Sequence, residues 1–357
     1  MTRPETAAPI GLVTWFHADD LAHAGWYPQI RGSSSSSATY EVYLRCVDVC
    51  VASFRRWNPH NPCLVVLNPL AETIVSVERR DRWRRLGVEV RVVENRHLPA
   101  RELFTAWQNQ FFLFDVLRAA LQVGDDPAQP IIVVDSDVVV RGSLSRLGEE
   151  IARLGRVSMR VPYGEDEVAN GASRRDLAGY VRALRGTPPD FVPVYQGGEF
   201  VGGTRSALAG VVDACEAVYA WTLEQRERGE AHPNEEAHIL SVADPMPESA
   251  VTGNAWIERI WTKPWNLRRI PDAVGSMPMW HLPAEKRTGI PRLHAAALES
   301  RSWFWGAPAE VWNERAGRIL GVPRYGAAKL LQDLVALRGD VAPALVGRIR
   351  RLERLRR

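Results

Sequence analysis

Apolar residues fall into two rhythms along this chain. Short continuous runs such as Pro9–Phe16 (PIGLVTWF), Cys63–Leu67 and Val88–Val93 read as buried strands. Between them lie longer stretches in which apolar residues recur every three or four positions. From Thr39 to Trp57 the repeat is Tyr40, Tyr43, Val47, Cys50, Val51 and Phe54, which predicts a one-faced helix. Ile74–Leu86 and Arg101–Val123 are read as further helices, the second with Phe104, Trp107, Phe111, Phe114, Leu117 and Leu121 on one side. His17–Ala38, with its serine run Ser33–Ser37, reads as a low-complexity, mobile loop. Alternating strand and helix predicts an α/β fold with a mostly parallel central sheet flanked by helices. In such sheets ligands bind beyond the carboxyl ends of the strands.

The second half is less regular. Val157–Val161 and Val192–Gly203 are candidate strands, and Ser206–Thr222 is a candidate helix. Asn234–Leu240 starts another helix with Glu235 and Glu236, acids that a helix dipole favours there without any catalytic role. Trp256–Trp305, rich in Trp, Pro and Arg, has no clear period; a core role is the plainer reading for most of its tryptophans. From Lys329 to Arg357, leucines alternate with Arg338, Arg348, Arg350, Arg351, Arg354, Arg356 and Arg357. A basic amphipathic helix can rest weakly on an anionic membrane, although a solvated helix end is the simpler expectation.

At 46% hydrophobic and 24% charged residues, the 357-residue chain has ample material for a large core. A net charge of +3 is too small to point to nucleic acid. No run approaches the roughly 20 apolar residues of a membrane span. No charged-then-apolar leader is seen from Met1 to Ile10. Cys46, Cys50, Cys63 and Cys215 form no C-x-x-C pair and read as small buried hydrophobes. A reduced, cytoplasmic protein is expected, with the oligomeric state left open.

Ile131–Val140 (IIVVDSDVVV) carries the chemistry. Asp135 and Asp137 interrupt an apolar run at strand spacing, which places both on one face. Two neighbouring carboxylates repel, and burying them unpaired is costly. A divalent cation, Mn²⁺ or Mg²⁺, resolves both problems, and a nucleotide diphosphate can complete its shell. The bland alternative is a strand ending at a turn, with Asp135 capping and Asp137 solvated. A haloacid-dehalogenase-type phosphatase also fits, since its motif, an apolar strand then D-x-D-x-[TV], matches Asp135, Asp137 and Val139. That motif normally lies on the first strand of its domain, whereas more than a hundred residues precede it here.

Two further segments separate these readings. Tyr195–Gly203 reads Y-Q-G-G-E-F-V-G-G, and its glycines allow close approach to a ligand. Asn234–His238 reads N-E-E-A-H. The order D-x-D, glycine segment, acidic helix start resembles glycosyltransferase family six, the retaining GT-A transferases that include the histo-blood-group A/B and α-1,3-galactosyl enzymes. The similarity spans roughly residues 10–260 and is weak outside the three motifs.

The resemblance implies a GT-A, Rossmann-like nucleotide-diphospho-sugar transferase fold with a helical C-terminal extension. Residues 1–320 would form the catalytic domain, with a nucleotide-binding half at about 9–142 and an acceptor and catalytic half at about 143–320; residues 321–357 would be a basic extension. Asp135 and Asp137 match the metal carboxylates, with Ser136 between them. Gly197, Gly198 and Glu199 match the donor-discriminating stretch, where a charged Glu199 is a departure. Glu236 matches the catalytic glutamate, His238 the later histidine and Glu235 the preceding acid. Tyr40 falls where the family stacks an aromatic on uracil, and Phe16 is a second base contact. Gln108 and Asn109 stand where the family has arginines. Lys263, Lys286, Arg287 and Arg292 are candidates for its basic closing segment. His281–Lys286 (HLPAEK) resembles the H-x-x-G-x-K motif of glycogenin-like transferases, which makes His281 a third metal ligand. The implied reaction transfers a sugar from a nucleotide-diphosphate sugar, UDP-linked by preference, to a glycan or natural-product acceptor with retention. An inverting transferase, with Glu236 as general base, is the alternative.

Overall fold

A computed structural model describes residues 9–27, 30–99, 108–263 and 269–337. The strands are β1 (Gly11–Phe16), β2 (Trp26–Tyr27), β3 (Gly32–Ser33), β4 (Cys63–Leu67), β5 (Glu89–Val92), β6 (Pro130–Val134), β7 (Val138–Val140), β8 (Arg156–Val161), β9 (Tyr195–Thr204) and β10 (Met279–His281). The helices of the first half are α1 (Ser37–Trp57), α2 (Pro69–Ile74), α3 (Val77–Arg85), α4 (Phe112–Ala120) and α5 (Ser145–Leu154). Those of the second are α6 (Arg174–Arg185), α7 (Arg205–Glu227), α8 (Glu236–Ala243), α9 (Gly289–Leu298), α10 (Trp303–Gly306), α11 (Ala309–Leu320) and α12 (Ala327–Ala336).

Six strands form the central sheet in the order β5-β4-β1-β6-β9-β8. β5, β4, β1 and β6 pair in parallel, and β9 runs against both β6 and β8. The expected α/β architecture with a mostly parallel, helix-flanked sheet is therefore present. β1, β4 and β6 are buried along almost their whole length, as their continuous apolar runs require. The carboxyl ends of β1 and β6 lie side by side and open onto the site described below.

Three local expectations are corrected, and a fourth is met in part. IIVVDSDVVV is not one strand: β6 stops at Val134, and Val138 N closes a turn by donating to Asp135 O at 3.2 Å. β7 then leaves the main sheet and pairs antiparallel with β10, setting His281 opposite Val138. The serine run is not a loose loop. Ser33 ends the β2–β3 hairpin, Ser34 is buried, and Ser36 caps α1 by accepting from Thr39 N. The helix expected over Ile74–Leu86 is split at Val75–Ser76, where the Ser76 hydroxyl caps α3. Of the long helix expected over Arg101–Val123, residues 101–107 lie outside the described part; a 3-10 turn at Gln108–Phe111 leads into α4, which bears out the helix over Phe112–Ala120.

The segment without a clear period, together with α11, builds a second core under α1. Trp280, Trp312, Phe304, Leu293 and Ile290 are buried there, with Trp303 and Trp305 packed against them. The plainer reading of those tryptophans holds for Trp280, Trp303 and Trp305, while Trp265 lies outside the described residues. Against the amphipathic pattern, α12 turns charged residues inward: Lys329 and Asp333 are buried, whereas Leu331 and Val335 are exposed. Lys329 Nζ bonds Glu285 Oε2 at 2.6 Å, and Lys263 Nζ bonds Asp333 Oδ2 at 2.7 Å. The arginines from Arg338 onward lie outside the described residues. Among the described residues no helix is long and apolar enough to cross a membrane.

Candidate active site

The turn that ends β6 creates the site. Asp135 is half-buried, and Asp137 is 1% exposed. A solvated Asp137, as the strand-end reading required, is not what is found. The β7–β10 pairing brings in His281, whose Nε2 lies 3.3 Å from Asp137 Oδ2 and 3.7 Å from Asp135 Oδ2. Lys286, just beyond the 3-10 turn Pro283–Glu285, places Nζ 3.2 Å from Asp137 Oδ2. Leu282 N donates to Asp137 O at 3.1 Å and so ties this segment to the acidic turn.

Ligating atoms of Asp135, Asp137 and His281 lie within 4.8 Å of one another. Asp137 Oδ2 is buried without a hydrogen bond of its own, although two cationic groups stand at ion-pair distance. Carboxylates plus an imidazole, one oxygen unsatisfied, form a donor set that fits a hard divalent cation. Burial disfavours the charged form of Asp137, but Lys286 and His281 outweigh it and hold its pKa well below the carboxylate range. Asp135 moves the other way, to about 6, through burial and repulsion from Asp137. Burial opposes the imidazolium of His281, yet Asp137 draws its pKa up to about 9.

These groups form the floor of a cavity of about 310 Å³. One wall is aromatic: Phe16 at the end of β1, Tyr40 and Tyr43 on α1, and Tyr27 from β2. Phe16 meets Tyr40 edge-on at 6.1 Å, and Tyr27 meets Tyr43 at 5.9 Å. Tyr40 OH donates to Asp19 O, and Asn109 Nδ2 donates to Tyr27 OH. Lys286 Nζ stands 4.8 Å from the centre of the Tyr43 ring and joins this wall to the acidic floor.

The opposite wall is acidic. Glu235 is the N-cap of α8 and Glu236 its first residue. Glu236 Oε2 is buried without a hydrogen-bond partner. A Cβ at Gly198 would lie 2.7 Å from Glu236 Oε1, so only glycine lets this carboxylate take its place. Burial and then Glu235 push the Glu236 pKa well above the carboxylate range. Burial raises Glu235 to about 7. Asn170 donates to Glu235 Oε2 from the turn Ala169–Ala172, in which Asn170 has φ 50° and Gly171 φ 93°. Two positive φ values in a row explain an Asn-Gly pair there.

Of the residues singled out in the sequence, Phe16, Tyr40, Asp135, Ser136, Asp137, Gly198, Glu236 and His281 line this one cavity. Gly197, Glu199 and His238 do not line it. A Cβ at Gly197 would strike Glu199 Oε2 at 2.5 Å and Met159 Cε at 2.6 Å. Glu199 is buried and holds Arg259 through two bonds, to Nε at 2.7 Å and Nη2 at 2.9 Å. Arg259 and His281 overcome the burial of Glu199 and keep it ionised. His238 is fully buried: Nδ1 accepts from Asn234 N at 3.1 Å, and Nε2 lies 3.1 Å from Ala169 O. It thus tethers the Asn170 turn to the start of α8, and burial lowers its pKa to about 4.

Among the basic candidates, Lys286 reaches the cavity. Lys263 and Arg292 join the buried cluster around Asp333, and Arg287 is not among the lining residues. Sequence reasoning missed Tyr27, Tyr43, Asn170 and Arg259 as wall residues. The Asn-Gly turn signal could have drawn attention to Asn170; Arg259 carries no local signal.

No protein-family model matches the chain, and no curated protein matches it significantly in sequence. Solved structures with a similar chain path include the galactosyltransferase LgtC in complex with donor and acceptor sugar analogues, at 14% identity and TM-score 0.46, covering 89% of this chain and 99% of that one. Another is the bifunctional glycosyltransferase WbbM, at 12% identity and TM-score 0.43, covering 78% of this chain and 46% of that one.

Proposed function

We propose that this protein is a metal-dependent GT-A glycosyltransferase that moves a sugar from a nucleotide-diphosphate sugar, UDP-linked by preference, to a glycan or natural-product acceptor. One observation carries the reading. A single cavity joins an aromatic wall suited to a nucleobase, a two-carboxylate and imidazole floor suited to Mn²⁺ or Mg²⁺, and a buried carboxylate, Glu236, on the far side.

Asp135, Asp137 and His281, the last after giving up the proton that Asp137 favours, would hold the cation, which when bound neutralises charge on the donor's diphosphate. Lys286 adds a fixed positive charge beside it and helps the leaving group depart. The bond from the anomeric carbon to the diphosphate oxygen breaks, and its electron pair leaves with the nucleoside diphosphate. The acceptor hydroxyl oxygen bonds to the same carbon, and its proton passes to the departing phosphate oxygen. Positive charge developing on the sugar favours the ionised form of Glu236, which burial and Glu235 otherwise disfavour, and the carboxylate stabilises that charge in turn. The motif resemblance to family six supports retention of configuration. Phe16 and Tyr40 contact the base, and Ser136, between the two aspartates, contacts the donor. Gly197, Glu199 and His238 shape the donor site indirectly, by holding the groups that line it.

A cytoplasmic location with weak contact between the Arg-rich C-terminus and an anionic membrane belongs to the same reading and rests on composition alone. The test is turnover: a panel of nucleotide sugars with Mn²⁺, read by release of nucleoside diphosphate. One donor should be consumed, and Glu236→Gln should bind it but lose at least about 100-fold in kcat. Unchanged turnover in Glu236→Gln would remove the assignment, and the anomeric coupling constant of the product decides retention against inversion.

A further inference from the structure

A second space borders the catalytic end of the cavity. Its volume is about 170 Å³, and Arg259 and Trp261 line both spaces, so the two meet at these residues. Met159, Val161 and Tyr163 of β8 and its exit give it an apolar floor, and Glu258, Arg160 and Arg269 stand around it.

We propose that this side pocket holds a sugar ring of the acceptor. The inference rests on the proposed function and names the substrate class that it leaves open. A sugar ring has apolar C–H faces and a rim of hydroxyls. Tyr163 and Trp261 offer aromatic surface for the faces. Glu258 supplies an acceptor, and the arginines supply planar donors for the rim. A concave, mostly apolar space with a few converging polar groups is the form small-molecule sites take.

The position fits as well. The aromatic wall and Lys286 serve the nucleotide and its diphosphate, which leaves the Glu236 side for the reacting sugar. Arg259 is fixed at this border because buried Glu199 holds its Nε and Nη2. Tyr163 is fixed by an edge-on contact with Tyr195 at 5.0 Å, and Tyr195 in turn meets His238 at 5.3 Å. His238 tethers the start of α8, so the pocket floor and the catalytic glutamate share one rigid support. The charged, buried Glu199 in the glycine segment thereby acquires a role: it fixes Arg259 where the side pocket meets the main cavity.

The experiment uses the full chain saturated with Mn²⁺ and UDP. Calorimetric titration is recorded with the methyl glycosides of galactose, glucose, mannose and N-acetylglucosamine. At least one should bind, and its affinity should fall about ten-fold in Tyr163→Ala and in Arg269→Ala. UDP–Mn²⁺ affinity should stay within about two-fold of wild type in both variants. Arg269 is exposed, so its variant remains informative if Tyr163→Ala folds poorly. A protein that binds UDP–Mn²⁺ but no glycoside would overturn the pocket assignment, as would equal glycoside binding in wild type and Arg269→Ala. Failure to bind UDP–Mn²⁺ would instead remove the proposed function; pocket-dependent glycoside binding in that case would still support a sugar site.

Discussion

Gly198 and Glu236 are fitted to each other: a Cβ at position 198 would stand 2.7 Å from Glu236 Oε1 and 2.9 Å from its Cγ. The obstruction is a flexible carboxylate rather than backbone, so Gly198→Ala should fold. Glu236 would have to swing aside, and displacement of about 1 Å at a reacting centre can cost 100-fold in rate. Gly198→Ala is therefore expected to keep its melting temperature within a few degrees and its donor affinity nearly intact, while kcat falls about 10- to 100-fold. Wild-type kcat in this variant would show that the position of Glu236 does not matter.

Asp137 is buried between two positive groups, so its loss should be felt before any ligand is added. Asp137→Asn leaves Lys286 and His281 buried without their main counter-charge. Breaking a buried pair from one side costs roughly 3–5 kcal/mol. Denaturant unfolding without metal should show a loss of that order, and added Mn²⁺ should no longer stabilise the variant. A variant still stabilised by Mn²⁺ would mean that the cation binds elsewhere.

His238 and Glu235 give stability opposite pH slopes. His238 titrates at about 4 in the folded state, below the ordinary histidine range near 6.5. The unfolded chain binds that proton first, so this contribution is present above pH 6.5 and is lost as the pH falls towards 4. Glu235 titrates at about 7 when folded, above the ordinary glutamate range near 4.5. Its contribution is complete below 4.5 and is lost as the pH rises through 7. His238→Gln should flatten the acidic side of the stability profile, and Glu235→Gln the side between pH 5 and 7. Chemical unfolding across pH 4–8 checks both, and profiles parallel to wild type would contradict the assignment.

Glu199 reaches the cavity only through Arg259 and His281. Glu199→Gln should weaken the Arg259 tether and destabilise the fold by roughly 1–3 kcal/mol. It should change acceptor KM more than the ranking of donor sugars. A switch in donor preference with acceptor KM unchanged would show instead that this side chain reads the donor.

Much of this arrangement was written in local patterns. The apolar runs of β1, β4 and β6 gave the parallel sheet, because a strand buried on both faces has no polar positions to alternate. The acids at 135 and 137 stood out because only Ser136 besides them interrupts that run. What local pattern could not show is that the run breaks. Val138–Val140 is as apolar as Ile131–Val134, and only the pairing with Met279–His281 reveals that it belongs to another sheet. For the same reason Lys286 could be named only among several cations. Its approach to Asp137 depends on how the β10 segment folds back across α1. Glu199 and His238 were found as motif positions, yet their side chains point into the protein. A motif marks which residues matter but not whether they touch the ligand or hold the groups that do.

Asp135, Asp137 and His281 are proposed to hold a divalent cation that recruits a nucleoside diphosphate. Isothermal titration of UDP into the full chain, with Mn²⁺ and with chelator, for wild type and Asp137→Ala, separates the alternatives. Wild type should bind in the micromolar range, about −8 kcal/mol, with Mn²⁺ only, and the variant should not bind. Equal binding with chelator, or in Asp137→Ala, would contradict that assignment.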